Sequence, residues 1–184
     1  MTWLWILLAI VVVLGLFIAS TYNKLVTNRN KVKDGWAQID VQLKRRVDLI
    51  PNLVETVKGY AKHESETLEE VIKARNSFNT ASTVEDEMNA NNQITGALNK
   101  LFALSEAYPD LKANENFLSL QNDLKEVEEK ISYARQFYND IVLSYNNIVE
   151  MFPSNIIANM FKFKQEKFFE IENEKEKEAP KVSF

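Results

Sequence analysis

The hydrophobic pattern of the chain begins with an almost unbroken apolar run, Trp3–Ala19. At 1.5 Å per residue this run spans about 26 Å, which covers most of the hydrocarbon core of a bilayer. The pattern predicts a transmembrane anchor, residues 1–21, that contacts the lipid bilayer through residues 3–20.

The flanks of this run separate an anchor from a cleaved signal peptide. Trp3 and Trp5 at one end and Tyr22 at the other match the aromatic belts of the two membrane interfaces. A signal peptide would need a basic N-terminal region and an Ala-x-Ala-like site. The chain has no basic residue before Tyr22 and offers only Ile18-Ala-Ser20, so we favour the uncleaved anchor.

Basic residues follow the run and none precedes it. They are Lys24, Arg29, Lys31 and Lys33. By the positive-inside rule, this asymmetry predicts a single-pass protein of the cell membrane, with its N-terminus outside and its bulk in the cytoplasm.

After the run, apolar residues recur in steps of three and four, the spacing of one helix face. The first stripe consists of Val32, Trp36, Ile39, Leu43, Val47, Ile50 and Val54. Pro51 removes a backbone donor within this stripe, so we predict a kink there. Because the apolar frame continues to Phe78, the pattern favours one kinked helix over two, with polar Glu64 and Arg75 at seam positions and the first break at Asn79–Val84.

Two further helices are marked by their ends. Ser82 followed by Glu85 is a capping-box signature for the second helix, and Pro109 ends that helix. Asn114 or Asn116 caps the third helix, which Pro153 ends. Its apolar positions follow strict alternating steps of three and four: Phe117, Leu120, Leu124, Val127, Ile131, Ala134, Tyr138, Ile141, Tyr145, Ile148 and Phe152.

These elements define the predicted fold. It is all-α, with an N-terminal transmembrane helix that continues into an antiparallel bundle of long helices, residues 22–171. A short helix is expected at Ser154–Met160, and the charged tail, residues 172–184, is expected to be disordered. Trp36 and Pro51 are candidate structural residues of the first helix.

An aromatic and basic segment follows the short helix, with Phe161, Phe163, Phe168 and Phe169 among lysines. One interpretation is that the aromatic residues fold back to cap the end of the bundle. The other is an interfacial membrane anchor. The direction of the first helix after Pro51 then decides whether this segment meets its own membrane, a second bilayer or another subunit.

Charge is distributed unevenly along the chain. The net charge is −4, but residues 22–62 hold nine bases and four acids, which gives +5 and leaves −9 beyond them. An acidic protein of mixed charge is a poor candidate for nucleic-acid binding. The division suggests instead that the first long helix pairs with acidic neighbours, within the chain or between chains.

Lys44, Arg45 and Arg46 form the densest basic cluster. It predicts either an exposed helix face or a contact with an acidic surface of another subunit or partner. Arg75 and Arg135 occur in similar short contexts, and each is predicted to lay its stem along the bundle and bind a carboxylate or amide. Four asparagines near apolar positions are expected to join polar contacts that fix helix register: Asn23, Asn30, Asn139 and Asn146.

The residues offer little for catalysis or metal binding. There is no cysteine and one histidine, His63, so thiolate sites and a di-iron bundle with two Glu-x-x-His motifs are excluded. The glycines are isolated, and the sequence contains no phosphate-binding loop or nucleophile elbow. We therefore predict no catalytic residue, no cofactor and no enzymatic activity.

Several stretches of the chain resemble the LemA family of bacterial membrane proteins. They are Tyr22-Asn23-x-Leu25-Val26-x-x-Arg29-Asn30, Trp36 to Val54, Glu55-Thr-Val-Lys-Gly-Tyr-Ala61, Tyr108-Pro-Asp-Leu-Lys-Ala-Asn-Glu-Asn-Phe117 and Phe152-Pro-Ser-Asn155. The resemblance covers nearly all of the chain up to about residue 172. It implies a single-span membrane protein with a helical soluble domain, and it implies no specific chemical activity.

These observations predict a membrane-anchored helical scaffold that self-associates into a homo-oligomer and organises or bridges the membrane. The alternative is a tethered adaptor that recruits another protein through Lys44–Arg46 and the acidic distal half. An accessory factor to an enzyme is the weakest of the three hypotheses.

Overall fold

The computed structural model describes residues 2–61 and 63–170, and these residues are mostly helical and include no strand. This confirms the all-α prediction. The predicted disordered tail, 172–184, lies outside the described residues. The helices are α1 (Thr2–Tyr60), α2 (Ser65–Thr80), α3 (Val84–Ser105), α4 (Pro109–Lys112), α5 (Glu115–Glu150) and α6 (Ser154–Met160).

The chain divides into two compact units, and the first combines residues 1–39 with residues 133–168. In this unit the later part of α5 runs antiparallel to α1, with Trp36 packed edge-on against Tyr138 at 5.6 Å between ring centroids. Gly35 is buried against α5, where an added Cβ would lie in ordinary van der Waals contact with Cδ1 of Ile141, at 3.4 Å. The core is formed by Leu25, Val32, Ile39, Tyr138, Val142 and Tyr145.

The second unit contains residues 40–132 and, among the described residues after 168, Phe169 and Glu170. Here the rest of α1, the beginning of α5 and the α2–α3 pair each bury an apolar face. Buried residues include Leu43, Ile50, Leu53 and Val57 of α1, Leu68, Val71 and Phe78 of α2, Ile94, Leu98 and Leu101 of α3, and Phe117, Leu124 and Val127 of α5.

The first helix continues through Pro51, as predicted, but it ends sooner than predicted. It stops at Tyr60, and the chain turns before α2 begins at Ser65, so the prediction of one helix to Phe78 is wrong. Glu64, which interrupts the apolar seam, leaves the helix and accepts a hydrogen bond from the Tyr108 hydroxyl at 3.0 Å. The turn lets α2 pack on α3 rather than extend α1.

Two predicted helix boundaries shift by a few residues. The N-cap of α3 is Thr83 rather than Ser82, and its hydroxyl accepts from the Asp86 amide at 3.1 Å. Pro109 begins the short α4 instead of ending α3, which already stops at Ser105. Proline suits this position because the first residue of a helix has no intrahelical N–H bond to lose. The Asn114 cap of α5 is confirmed by its bond to the Phe117 amide at 3.0 Å.

Candidate functional site

The apolar start of α1 is uncovered. Within its most apolar 18-residue window only 6% is buried inside the protein, whereas the core helix of a soluble protein would be mostly buried. Among the described residues, α1 is the one helix long and apolar enough to cross a membrane. The structure therefore contains a candidate membrane span that the described residues leave almost entirely uncovered.

An aromatic cluster lies just beyond the span, in the first unit. After α6 the chain returns along α1, and we call residues 161–168 the return segment. Tyr22 of α1 packs against Phe161 and Phe163, with centroid distances of 4.8 and 5.8 Å. The Arg29 guanidinium lies 5.0 Å from the centroid of Phe163, a cation–π contact. These contacts place the return segment next to the end of the span.

Hydrogen bonds from α5 hold the return segment in place. The Asn146 side chain accepts from the Glu166 amide and donates to the Glu166 carbonyl, both at 2.9 Å. The Tyr138 hydroxyl donates to the Lys167 carbonyl at 3.1 Å. Burial raises the pKa of Tyr138 to about 12, and the negative charge of nearby Glu166 makes a smaller contribution to the same shift. Tyr138 therefore stays neutral and able to donate throughout the physiological pH range.

Removing the Asn146 side chain should loosen the return segment. In Asn146→Ala both bonds to Glu166 are lost, which should cost about 1–2 kcal/mol of stability. Exposed Lys162 and Lys164 should then be cut several-fold faster by trypsin, as mass spectrometry of timed digests will show. Asn147→Ala, on the adjacent position of α5, is the matched control and should digest like the natural protein. Equal digestion of both variants would mean that Asn146 does not hold the segment.

The four predicted phenylalanines have different environments. Phe163 and Phe169 are buried, whereas Phe161 and Phe168 retain substantial exposure. Two of the four phenylalanines are therefore packed inside the protein, and the other two remain accessible to solvent. No described residue after Phe163 is helical, so this segment does not form the amphipathic helix of an ordinary interfacial anchor.

The basic cluster of α1 is divided by the helix geometry, in the second unit. Lys44 is exposed and pairs with Asp40 one turn earlier at 2.5 Å, a bond that raises the Lys44 pKa. Arg45 is also exposed. Arg46 is only 4% exposed, so the prediction of an exposed basic face is wrong for this residue. Consecutive helical residues point about 100° apart, and adjacency in sequence does not make them one surface.

Arg46 binds polar groups from α3 and α5. Its Nη1 donates to Asn91 Oδ1 at 2.9 Å and to Thr95 Oγ1 at 3.0 Å. Its Nη2 lies 2.9 Å from Glu128 Oε2. Burial lowers the pKa of Arg46, and the Glu128 charge opposes that shift. The residue joins three helices of the unit, and its acidic partner belongs to its own chain.

Sequence reasoning missed the partners of Arg46. Asn91 and Thr95 are four residues apart and flank Ile94 of the α3 seam, so they share the edge of a buried face. That spacing is a readable signal, although it does not identify the arginine.

The remaining candidate residues have structural environments. Arg75 and Arg135 are half-buried, and Nε of Arg75 has no hydrogen-bond partner among the described residues. Pro153 precedes α6, and Trp36 contacts Tyr138 as described above. In the part of the chain that the structure describes, no group of three metal-ligating side chains occurs. A cleft of about 470 Å³ lies beside Arg46 and Glu128, and most of the side chains that line it are polar.

Comparison with known proteins gives matches along most of the chain. The model of the LemA family matches residues 35–184. The protein LemA of Metamycoplasma hominis is 29% identical over 141 residues, which cover 74% of this chain and 63% of that protein. The candidate span precedes the matched residues of the family model.

Proteins named for magnetosomes are also similar to the chain. Magnetosome protein MamQ 2 of Paramagnetospirillum magneticum is 25% identical over 175 residues, covering 81% of this chain and 64% of that protein. Magnetosome protein MamQ of Magnetospirillum gryphiswaldense is 24% identical over 174 residues, with shares of 80% and 64%. The chain therefore spans less than two thirds of the length of these curated relatives.

Proposed function

The chain belongs to the LemA family, and we propose that it is a single-pass, membrane-anchored helical scaffold whose copies associate with one another at the membrane. The uncovered apolar start of α1 supports the anchor. Lysines and arginine at positions 24–33 support a cytoplasmic placement of the helical units. The proposed role is to organise the membrane through assembly rather than to catalyse a reaction.

One observation carries the self-association. The outer face of α5 in the first unit leaves three large apolar side chains in solvent: Tyr133, Phe137 and Leu143. Tyr133 is 74% exposed and Phe137 is 50% exposed. At 100° per residue the three lie within about 120° of one another around the helix, so they form one face, which we call the α5 outer face.

Aromatic residues are expensive to leave in water and are enriched in protein interfaces. A second copy of the same chain offers an identical face, and a two-fold pairing satisfies both copies at once. Anchoring also confines the copies to a common surface, which raises their effective concentration relative to free solution. A contact that is weak in solution can then be occupied in the membrane.

The structure of the basic cluster bears on the adaptor hypothesis. That hypothesis assigns partner recruitment to Lys44–Arg46, yet Arg46 is occupied by Asn91, Thr95 and Glu128 within its own unit. Lys44 and Arg45 are the members left at the surface. The α5 outer face therefore has the stronger support as a site of assembly.

Changing the α5 outer face should weaken self-association. In full-length protein with Tyr133→Glu and Phe137→Glu, opposed carboxylates would meet across a two-fold contact, and the association constant should fall at least tenfold. Sedimentation of the purified protein in mild detergent, at several ratios of protein to detergent, measures this constant.

Val41→Glu is the matched control, since Val41 is an equally exposed apolar residue outside this face. It should associate like the natural chain, and circular dichroism should show intact helices in both variants. A natural protein that stays monomeric at every ratio, or a double variant that associates normally, would remove the proposal. Reproducible crosslinking in cells to one different protein, without self-crosslinks, would favour an adaptor instead.

A further inference from the structure

The connection between α5 and α6 exposes an unusual amount of apolar surface. Phe152 is 80% exposed, and Met151, Ile156 and Met160 are exposed as well. The adjacent Ile157 and Ala158 are buried, so α6 has one face packed in the first unit and the other uncovered. We call the uncovered residues Met151, Phe152, Ile156 and Met160 the apolar turn. Soluble proteins seldom expose a cluster of large apolar side chains to water.

The apolar turn lies at the end of the candidate span. Met151 and Phe152 line one side of a cavity of about 460 Å³, and Phe17, Thr21 and Lys24 of α1 line the other side. All of these residues belong to the first unit. Phe161, which directly follows α6, packs on Tyr22 in the same part of α1. The fold thus brings a second apolar surface to the point where the apolar run ends.

The length of the apolar run leaves room for that surface. Trp3–Ala19 spans about 26 Å, whereas the hydrocarbon core of a typical bilayer is about 30 Å thick. The shortfall is close to one helical turn, and the next turn of α1 carries Thr21, Tyr22 and Lys24. A short span is accommodated by thinning of the bilayer or by flanking residues that remain near the interface. Apolar side chains beside that turn of α1 would lower the free-energy cost of the mismatch between the short span and the thicker hydrocarbon core.

The charges around the apolar turn suit a lipid headgroup layer. Lys24 lines the same cavity, and Lys162 and Lys164 are exposed immediately after α6. Glu150 is the nearest acidic residue in sequence, and the Gln165 amide donates to it. Apolar residues rimmed by lysines are the composition of segments that lie in the membrane interface.

We propose that the apolar turn inserts into the interface of the same membrane that holds the span, so that the protein contacts lipid at two places. Phe152 is its central contact, with Met151, Ile156 and Met160 beside it. The inference rests on the proposed anchoring through Trp3–Ala19. Two attachment points fix the tilt and rotation of the first unit relative to the bilayer, which a single span leaves open.

Single-cysteine variants of the full-length chain test the proposal, because the natural sequence has no cysteine. A fluorophore sensitive to its environment is attached at Phe152→Cys, Val11→Cys or Ala37→Cys. Each variant is reconstituted into vesicles of phosphatidylcholine and phosphatidylglycerol, with or without lipids that carry a spin-label quencher high in the acyl chain. Ala37 is the control, since it is exposed, lies outside the α5 outer face and is about 27 Å beyond Ala19 along α1.

We expect lipid quenching at positions 11 and 152, with the loss of intensity at 152 at least threefold greater than at 37. Quenching at 11 but not at 152 would overturn the second lipid contact and leave the anchor intact. Equal quenching at 152 and 37 would also overturn it, as would a label at 152 that is shielded without being quenched, the result expected for a protein occupant. Absence of quenching at 11 would remove the anchoring and the inference together.

Discussion

Arg46→Ala should lower the free energy of unfolding by about 2–4 kcal/mol. The substitution removes a buried side chain that binds Asn91, Thr95 and Glu128, and it leaves a space between three helices. Asn91 is itself buried, so its carbonyl oxygen loses a donor that water cannot easily replace. Glu128 is 45% exposed and can be solvated, which keeps the expected cost below that of a fully buried ion pair.

Chemical denaturation followed by circular dichroism measures this effect. Arg45→Ala is the matched control, because Arg45 is the exposed neighbour on the same helix, and it should change stability by less than about 0.5 kcal/mol. Arg46→Lys should recover only part of the loss, since one ammonium cannot reproduce the planar fork that reaches two sides at once. If Arg46→Ala and Arg45→Ala unfold at the same denaturant concentration, the three-helix contact contributes nothing.

The burial of Arg46 could not be predicted from the local sequence. It lies three residues after Leu43 and four before Ile50, both of which are fully buried. The helical period therefore placed Arg46 beside the core stripe, yet its two basic neighbours suggested an exposed cluster. A buried arginine is tolerated only when partners neutralise and hydrogen-bond it, and those partners come from distant helices. Their positions are not available from a local pattern.

The predicted apolar seam of α5 also departs from the structure toward the C-terminal end of the helix. A strict repeat of three and four predicted that Phe152 continues the buried stripe, but Phe152 is exposed, whereas Val142 and Val149 are buried. A straight helix has 3.6 residues per turn, so a repeat of 3.5 drifts by about 20° every seven residues. Along α5 this drift moves the core face from Ile141 and Ile148 to Val142 and Val149. Phe152 is exposed because it lies beyond the end of α5 at Glu150.

The break at Ala61–Glu64 required information from outside the first helix. The apolar frame continues across it, and Glu64 was a single polar interruption that many helices tolerate. The turn is stabilised by groups beyond residue 100, since the Asn114 side chain donates through Nδ2 to the Tyr60 hydroxyl at 2.9 Å and the Tyr108 hydroxyl donates to Glu64. Tertiary contacts of this kind override local propensity. By contrast, α6 and the Asn114 cap depended on local signals and were predicted correctly.

Placing two arginines in the span should abolish membrane anchoring. Ile10 and Val13 lie three residues apart near the middle of the apolar run, and both are exposed on the protein. On a scale of insertion free energies an arginine at the centre of a membrane helix costs about 2.5–3.5 kcal/mol. Ile10→Arg with Val13→Arg should therefore make insertion less favourable by about 5–7 kcal/mol, which shifts an insertion equilibrium by more than a thousandfold.

Carbonate extraction of membranes from cells that express the full-length chain tests this expectation. The natural chain should remain with the membrane pellet, whereas the double variant should appear in the supernatant or be degraded. Thr27→Arg with Asn30→Arg is the matched control, because it adds the same two charges at the same spacing to exposed positions of α1 beyond the span. The control should stay in the pellet, since added bases on that flank reinforce the predicted orientation. A double variant in the span that still resists carbonate would show that Trp3–Ala19 is not what holds the protein to the membrane.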